Sequence, residues 1–428
     1  MPTTSPIVIV LNADDKFAMP LAVTLYSALV NLQTTRSALI YIIDGGINEH
    51  NRQKLTSVLN VKNVAVQLEW VKPETSVLSG LKTTRQYNET IYFRLLVPQL
   101  LPLQLEKVIY LDSDLVVESD LGQLWSEEIG DYAALAVQDD ATPFVSCPHA
   151  LSETYQLLGL APETPYCNTG VMVINLKWWR AENIGSKVLD YVREFDQFIR
   201  YPDQDGLNAI VAGKWGLLDP KWNVMIGSLN LYGRFHNMSK LEIQQIQEEL
   251  RRKPFILHFS GPLKPWHFIY PDDPEKARSR FFYYLQKSQW FGAIEDSGSL
   301  MKIAWQHQNQ YDRWMEQLYM AKQELDELIP PAETFILVNE NQWVPETIKD
   351  RYAIPFLERD GQYWGAPPDD ETAIREFERL RGAGAKFMVF GWPSFWWLDY
   401  YCKLSHHLRS LFCCVFQNER LIVFDLRT

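Results

Sequence analysis

The stretch that decides the fold of this chain is Val108-Ile109-Tyr110-Leu111-Asp112-Ser113-Asp114-Leu115-Val116-Val117. An apolar run interrupted by two acids is typical of a buried strand that ends in a ligand site. Alternate residues of an extended chain point the same way, so Asp112 and Asp114 can face one ligand. A hard cation such as Mn²⁺ or Mg²⁺, bridging to phosphates, would relieve their repulsion and lost hydration. The pattern predicts an Asp-x-Asp metal site for a nucleotide diphosphate; the alternative is a strand that runs into an Asp-rich turn.

The composition indicates a globular protein. Its 428 residues suit about two or three domains, and 46% hydrophobic residues provide a sizeable core. A formal net charge of −12 argues against broad binding to nucleic acid or to an anionic membrane. The five cysteines are odd in number and lack zinc-like spacing, which favours a reducing compartment. With no recognisable signal peptide and no long apolar run, we expect a cytoplasmic protein.

Strands and helices alternate before the central stretch. The predicted order is strand 7–11, helix 17–31, strand 39–43, helix 48–59 and strand 64–70. This alternation predicts an α/β fold with a mostly parallel sheet and helices on both faces. The polar residues that follow the first strand, Asn12-Ala13-Asp14-Asp15, stand where ligand groups of such sheets occur. Capping of the next helix would explain the two acids equally well.

Three further polar groups have two readings each. Arg94 is either a surface charge, the interpretation favoured for this residue taken alone, or the partner of an anion. Asn168 is either a turn residue or an amide that binds a hydroxyl. Asp203-Gln204-Asp205 begins a predicted helix, and capping explains one of the acids there but not the whole cluster.

A predicted strand that begins at Phe255 delivers His258. A lone histidine in that place is usually structural. Here Gly261, which permits close approach of the backbone, and Lys264 follow His258 within six residues. That combination suits a metal ligand beside a diphosphate.

Together these segments resemble the family 8 retaining glycosyltransferases, which include bacterial lipopolysaccharide galactosyl- and glucosyltransferases and glycogenin. The resemblance spans roughly residues 5–290 in one order, and an ordered set is far more specific than one motif. Its segments are Asn12-Ala13-Asp14-Asp15, Tyr92-Phe93-Arg94-Leu95, Leu111-Asp112-Ser113-Asp114, Asn168-Thr169-Gly170-Val171 through Asn175-Leu176, Asp203-Gln204-Asp205 through Leu207-Asn208, and His258 through Gly261 to Lys264-Pro265-Trp266.

The resemblance implies a GT-A fold, a UDP-sugar donor and a Mn²⁺ or Mg²⁺ ion. It implies that the metal ligands are Asp112, Asp114 and His258. It implies that the donor is held by Asn12, Ala13, Asp14, Phe17, Arg94, Ser113, Asn168, Gly261 and Lys264, with Asp14 bonding uracil and Phe17 stacking beside it. Lys16 departs from the pattern, because several relatives carry a smaller polar residue there, and we leave it out of the site.

The catalytic residues implied by the resemblance are Gln204, Asp203 and Lys264. Gln204 would lie beneath the anomeric carbon, Asp203 would hold the donor sugar, and Lys264 would stabilise the departing diphosphate. Gln204 is a poor nucleophile, so front-face displacement is the preferred route. A covalent intermediate on Asp203 or Asp205 stays open.

Beyond residue 290 the resemblance ends. We divide the chain into a GT-A glycosyltransferase domain (1–290), a helical linker (291–331) and a small α/β domain of unknown role (332–428). The helix predicted over 300–329 could bridge domains or pair subunits in a homo-oligomer, although packing within the chain is the default. The aromatic residues Trp364, Trp392, Trp396, Trp397, Tyr400 and Tyr401 suit core packing, and less commonly a surface that stacks on sugars.

The predicted function is that of a metal-dependent retaining glycosyltransferase, which moves glucose or galactose from a UDP-sugar to a hydroxyl of a glycan or glycolipid. Peripheral contact with a membrane-borne acceptor is compatible with this function. The alternative is a catalytically weak protein that binds nucleotide sugars or glycans and uses its C-terminal domain as an interaction module. Intact Asp112, Asp114, His258 and Lys264 favour the enzyme, because a binding module needs no complete leaving-group site.

Overall fold

The computed structural model describes residues 5–33, 36–61, 64–81, 88–148, 150–261, 264–267, 277–294, 296–306, 310–340, 342–343, 351–359 and 362–427. The chain forms two compact units, residues 1–309 and 310–428. Residues 291–331 contain helices in both units, namely α10 (Ser297–Gln306) and α11 (Gln310–Leu328). The prediction of one continuous helix over 300–329 falls partly on residues 307–309, which lie outside the described residues.

The first unit is built on a seven-stranded sheet, which confirms the predicted α/β class. Its strands are β1 (Ile7–Ala13), β2 (Ala38–Asp44), β3 (Val66–Val71), β4 (Lys107–Leu111), β6 (Ala134–Gln138), β7 (Cys167–Asn175) and β8 (Trp215–Leu217). They lie in the order β3-β2-β1-β4-β7-β6-β8, and only β7 runs antiparallel to its neighbours β4 and β6. A smaller sheet joins β5 (Leu115–Val117), β10 (Ile256–His258) and β9 (Val224–Met225) in that order.

Helices cover this sheet and continue the alternation that the sequence predicts. They are α1 (Ala18–Val30), α2 (Glu49–Val58), α3 (Phe93–Leu100), α4 (Leu121–Ser126), α5 (Leu176–Ala181), α6 (Ile184–Glu194), α7 (Pro202–Ile210), α8 (Lys240–Arg252) and α9 (Ala277–Lys287). Among the helices of the described residues, none is both long and apolar enough to cross a membrane.

The run 108–117 forms two strands in two different sheets. Val108 to Leu111 of β4 have no exposed surface, because β1 and β7 flank the strand on its two edges. The chain then turns at Asp112-Ser113-Asp114 and continues as β5, which pairs antiparallel with β10. The two acids therefore stand at the junction of the sheets, between strands that are completely buried.

Hydroxyl groups of α1 take the place of a neighbouring strand along β5. Thr24 Oγ1 accepts the Leu115 N–H at 3.0 Å and lies 2.9 Å from the carbonyl oxygens of Ser113 and Leu115. Ser27 Oγ accepts the Val117 N–H at 3.0 Å. These bonds satisfy backbone groups of β5 that would otherwise be buried unpaired, and they fix the strand that follows the acids.

The second unit has its own five-stranded sheet. Its strands are β11 (Thr334–Val338), β12 (Tyr352–Pro355), β15 (Phe387–Gly391), β16 (Cys413–Gln417) and β17 (Leu421–Asp425), in the order β12-β11-β15-β17-β16. A hairpin of β13 (Glu358–Arg359) and β14 (Gln362–Tyr363) follows β12. The helices α12 (Asp370–Gly382) and α14 (Cys402–Leu411) contribute to one core with the sheet, and α11 contributes to a second core. A short helix, α13 (Trp396–Tyr400), comes directly before α14.

Replacing Thr24 with valine should destabilise the first unit. Valine keeps the shape of threonine but leaves the Leu115 N–H buried without its acceptor, which costs about 1–3 kcal/mol. Urea unfolding followed by circular dichroism measures the loss of free energy of unfolding. The matched control is Thr56→Val, since the exposed Thr56 hydroxyl only donates to the Arg52 carbonyl of its own helix. Equal stability of the two variants would contradict the role given to Thr24.

Candidate active site

Two carboxylates and an imidazole meet where the two sheets join. Ligand atoms of Asp112, Asp114 and His258 lie within 4.8 Å of one another. His258 is the last residue of β10, and its register partner is Leu115, the residue that follows Asp114. His258 Nε2 lies 3.6 Å from Asp114 Oδ1 and 3.9 Å from Asp112 Oδ2. The pairing of β5 with β10 therefore brings His258 to two acids from which the sequence separates it by more than 140 residues.

A chain of amides orients His258. Asn223 Nδ2 donates to Asn168 Oδ1 at 2.8 Å, so Asn223 Oδ1 is left to accept from His258 Nδ1 at 2.9 Å. The proton of the imidazole then sits on Nδ1, and Nε2 presents its lone pair to the carboxylates. Burial lowers the pKa of His258, although Asp114 and Asp112 oppose this effect, and so the imidazole is neutral near pH 7. This tautomer is the one that binds a metal ion through Nε2.

Gly170 makes room for the cluster. A Cβ atom on Gly170 would lie 2.4 Å from His258 Cε1 and 2.9 Å from Asp112 Oδ2. Its carbonyl oxygen accepts the Asp112 N–H at 2.8 Å, and its own N–H donates to Asn168 Oδ1 at 3.0 Å. Gly170 is therefore required for its lack of a side chain, a role that a matched motif does not reveal.

Two cationic side chains contact the acids. Lys264 Nζ donates to Asp114 Oδ2 and to the Phe259 carbonyl, both at 2.7 Å. Arg94 donates from NH2 to Asp112 Oδ1 at 2.7 Å and from NH1 to the Thr169 carbonyl oxygen and hydroxyl, also at 2.7 Å. Burial by itself raises the pKa of Asp114, but Lys264 and His258 outweigh it and hold that pKa below its usual value. The site therefore favours the charged form of Asp114.

Arg94 also joins the acids to α7. Its Nε lies 2.9 Å from Asp203 Oδ2, an ion-pair distance without hydrogen-bond geometry, so the contact counts as electrostatic. Burial raises the pKa of Asp203, which Arg94 opposes. Arg94 is buried, not on the surface, and the reading of it as an anion partner is the one that its position supports.

Asp139 organises the side of the site near Gln204, and sequence reasoning missed it. Its Oδ2 accepts from Asn168 Nδ2 at 3.1 Å and from Gln204 Nε2 at 3.3 Å. Its Oδ1 accepts two backbone N–H groups of its own turn, those of Ala141 and Thr142. The position directly after β6, at the same end of the sheet, was the available sequence signal.

The residues after β1 form the opposite side. Asp14 caps a short 3₁₀ helix by accepting the Phe17 N–H at 3.1 Å, and its other oxygen accepts from Asn88 Nδ2 at 2.7 Å. Helix capping is therefore one role of Asp14. The Tyr110 hydroxyl lies 2.6 Å from Asn12 Oδ1 and 2.9 Å from Asp112 Oδ1, which links the first strand to the acids.

The remaining predicted residues of this side are close by. Ser113 Oγ donates to the Asn12 carbonyl at 2.5 Å, and Ala13 is buried at the end of β1. The Phe17 ring contacts the edge of Trp266, with ring centroids 6.2 Å apart. Gly261 has a φ of +94°, a left-handed conformation that suits glycine, so the backbone at this position depends on the lack of a side chain.

His267 fixes the backbone at Lys264, and sequence reasoning missed it although it directly follows Trp266. His267 Nδ1 accepts the Lys264 N–H at 3.3 Å, and the His267 N–H donates to the Lys264 carbonyl at 2.9 Å. The residue has no exposed surface. Burial, with Lys264 and Arg278, lowers the pKa of His267 to about 3.

The depressed pKa of His267 predicts loss of stability in mild acid. Because the unfolded chain takes up this proton near pH 6.5 and the folded chain only near pH 3, stability is full above pH 6.5 and falls as pH drops below it. The loss is about 1.4 kcal/mol per pH unit. Free energies of unfolding from pH 7.5 to 4.5 should fall less steeply for His267→Gln than for wild type. Exposed His50→Gln is the control, and parallel curves for wild type and His267→Gln would refute the assignment.

Comparison with known proteins places this geometry in a family. Residues 8–270 match the model of glycosyl transferase family 8. General stress protein A of Bacillus subtilis is 28% identical over 285 residues, which are 66% of this chain and 94% of that protein. A lipopolysaccharide 1,2-glucosyltransferase of Escherichia coli is 28% identical over 233 residues, which are 54% of this chain and 65% of that protein.

A solved structure shows the same fold. The crystal structure of galactosyltransferase LgtC in complex with donor and acceptor sugar analogs superposes with a TM-score of 0.55 at 26% identity, and the match covers 67% of this chain and 100% of that one. The α/β unit of residues 1–309 is thus GT-A-like, as predicted, and the resemblance drawn from the motifs is confirmed. The chain belongs to glycosyl transferase family 8 and is a glycosyltransferase.

Proposed function

We propose that this glycosyltransferase is metal-dependent and retaining, and that it moves glucose or galactose from a UDP-sugar to a hydroxyl of a glycan or glycolipid. The observation that carries the proposal is the convergence of Asp112, Asp114 and His258, with Lys264 bonded to Asp114. The catalytic part would be residues 1–290, because the residues proposed for the site all lie within it.

The donor set suits a divalent ion. Two carboxylates and one neutral imidazole nitrogen match Mn²⁺ better than Mg²⁺, which prefers oxygen ligands and water. The amide chain through Asn223 supplies the outer support that metal-bound histidines require. When bound, the ion would supply positive charge to the diphosphate of the donor.

Lys264 would provide the second positive charge at the diphosphate. The Lys264 side chain is mostly buried, and its Nζ contacts Asp114 and the Phe259 carbonyl. A lysine side chain is long enough to exchange one of these partners for a phosphate oxygen. The negative charge on departing UDP grows in the transition state. An ammonium group already in place there stabilises the transition state more than the bound donor.

The residues proposed to surround the donor sugar favour front-face displacement. A double-displacement mechanism would need a carboxylate ready to attack the anomeric carbon, but the nearby acids are already engaged. Asp203 pairs with Arg94. Asp205 accepts from the Tyr166 hydroxyl at 2.5 Å and from two backbone N–H groups, at 2.8 and 2.9 Å. Gln204, whose Oε1 accepts the Thr169 N–H at 3.2 Å, would support the oxocarbenium-like state through its amide dipole.

The metal and the donor are tested together. We expect calorimetry to show that UDP binds wild-type protein much more tightly with Mn²⁺ than without it, and we expect slow Mn²⁺-dependent release of UDP from UDP-glucose or UDP-galactose. Asp112→Asn should lose both effects, since an amide cannot replace a carboxylate facing the ion. Exposed Asp131→Asn is the control. The proposal is contradicted if wild-type protein binds UDP equally well without Mn²⁺, or if Mn²⁺ strengthens UDP binding to Asp112→Asn as much as to wild type.

Lys264→Ala should lower kcat more than donor affinity. The expected loss is about 2–4 kcal/mol in the barrier, as for removal of one preorganised charge partner. Lys264→Arg should rescue only partly, because the planar guanidinium cannot occupy the same point. Steady-state donor hydrolysis is measured with the melting temperature as a folding check and exposed Lys253→Ala as the control. A well-folded Lys264→Ala protein with wild-type kcat would remove Lys264 from the mechanism.

A further inference from the structure

The second unit repeats, with different chemistry, the arrangement that makes the first unit a catalyst. Its strands β11, β12 and β15 are parallel neighbours, with β11 between the other two. The chain goes from β11 to β12 on one side and then returns to β15 on the other. In open α/β sheets, ligands bind outside the carboxyl ends of the strands where the strand order reverses in this way. That place lies after β11 and β15.

The residue at this place is an acid held by two tryptophans. Glu340 follows β11 and is half-buried. Its Oε1 accepts the indole N–H of Trp396 at 2.7 Å and that of Trp397 at 3.2 Å. Both tryptophans come from α13, which follows β15, so the carboxylate ties together the two strand ends. A carboxylate offers about four acceptor positions, and the two indoles use only part of this capacity.

The backbone at Glu340 is strained. Its φ is +50°, a left-handed conformation that residues other than glycine rarely adopt. Such strain is retained where the surroundings hold a side chain in a needed position. Here it directs a carboxylate toward the indoles at the sheet edge.

Exposed aromatic surface lies next to the acid. Trp396 is 43% exposed and Tyr400, one helical turn later, is 66% exposed, with ring centroids 5.7 Å apart. Trp397 is completely buried beneath them and Tyr401 almost so. The sequence prediction of core packing therefore holds for Trp392, Trp397 and Tyr401. It is wrong for Trp364, Trp396 and Tyr400, which are exposed.

Two more polar atoms at this edge are buried without a partner among the described residues. They are the hydroxyl of Ser394 and the indole nitrogen of Trp343. Ser394 follows β15, and the Trp343 ring packs on Gly391, the last residue of that strand, and against Trp392. Unpaired buried polar atoms are uncommon in folded proteins and gather at functional places. Both residues follow the carboxyl ends of β11 and β15, where ligands bind in such sheets.

We infer that the carboxyl edge of β11 and β15, with Glu340, Trp396 and Tyr400, is a second, non-catalytic site that binds neutral glycan chains. A sugar ring would stack its C–H face on an exposed aromatic ring, and its hydroxyls would donate to the remaining acceptor positions of Glu340. The carboxylate repels phosphates, so a nucleotide is disfavoured.

An organic cation fits this edge less well than a sugar. Cation recognition needs several ring faces directed at one point. Here α13 exposes only the rings of Trp396 and Tyr400, and they are inclined at 67°, so they do not direct several faces at one point, whereas a sugar needs only one face. The choice of a glycan rests in part on the glycan acceptor of the proposed function, since such a site would keep acceptor chains near the enzyme.

The test uses the full chain and ligand-observed saturation-transfer NMR. The probes are maltotriose, cellotriose and lactose, with tetramethylammonium as the cation probe. We expect at least one of the three oligosaccharides to bind wild type, and Trp396→Ala and Tyr400→Ala to bind it at least tenfold more weakly. Glu340→Gln, which keeps an acceptor oxygen but not the charge, should weaken sugar binding only a few-fold. Tyr352→Ala is the matched control, because Tyr352 is also 66% exposed but begins β12, at the opposite edge of the sheet.

Mn²⁺-dependent donor hydrolysis is measured on the same variants and should be unchanged. If the wild-type protein does not hydrolyse the donor, the proposed function is contradicted. The present inference is not, because oligosaccharide binding is measured separately. The inference is overturned if no oligosaccharide binds wild type, or if binding is equal in wild type, Trp396→Ala and Tyr400→Ala. It is also overturned if tetramethylammonium alone binds and Glu340→Gln abolishes that binding.

Discussion

The first unit depends on the need to neutralise two carboxylates at the end of a completely buried strand. Asp112 and Asp114 follow β4, whose last four residues have no exposed surface. Buried charges of one sign are tolerated only when opposite charge and hydrogen-bond donors surround them. Arg94, delivered by α3, serves Asp112, and Lys264, delivered after β10, serves Asp114. The positions of helix α3 and of strand β10 are thereby tied to the charge balance of the site.

The two cations solve this problem in different ways. Arg94 is fixed through Asp112, Asp203 and Thr169 by its planar fork, so it is part of the frame of the site. Lys264 holds Asp114 through one flexible ammonium group, placed by a backbone turn that His267 closes. A rigid partner keeps the acids in position, and a flexible one can change partners when a negatively charged ligand arrives. The same charges therefore stabilise the ligand-free fold and suit the diphosphate of the proposed donor.

The two units share an architectural rule and differ in chemistry. In both, polar residues at or shortly after the carboxyl ends of strands gather in one place. In the first unit they are three potential metal ligands among cations. In the second they are one carboxylate, two indole donors and exposed rings. The composition of each edge, and not the sheet, decides what class of ligand it can accept.

The sequence alone determined the alternation of strands and helices, the buried strand before Asp112 and the order of the motifs, because hydrophobic periodicity and short-range spacing are local properties. It could not show that the run 108–117 bends between two sheets, since that depends on the hydroxyls of Thr24 and Ser27 and on pairing with β10. Asp139, Gly170, Asn223 and His267 escaped sequence reasoning for the same reason. Their roles are defined by groups that meet only when distant strands pair, and only the tertiary structure decides which buried polar atoms find each other.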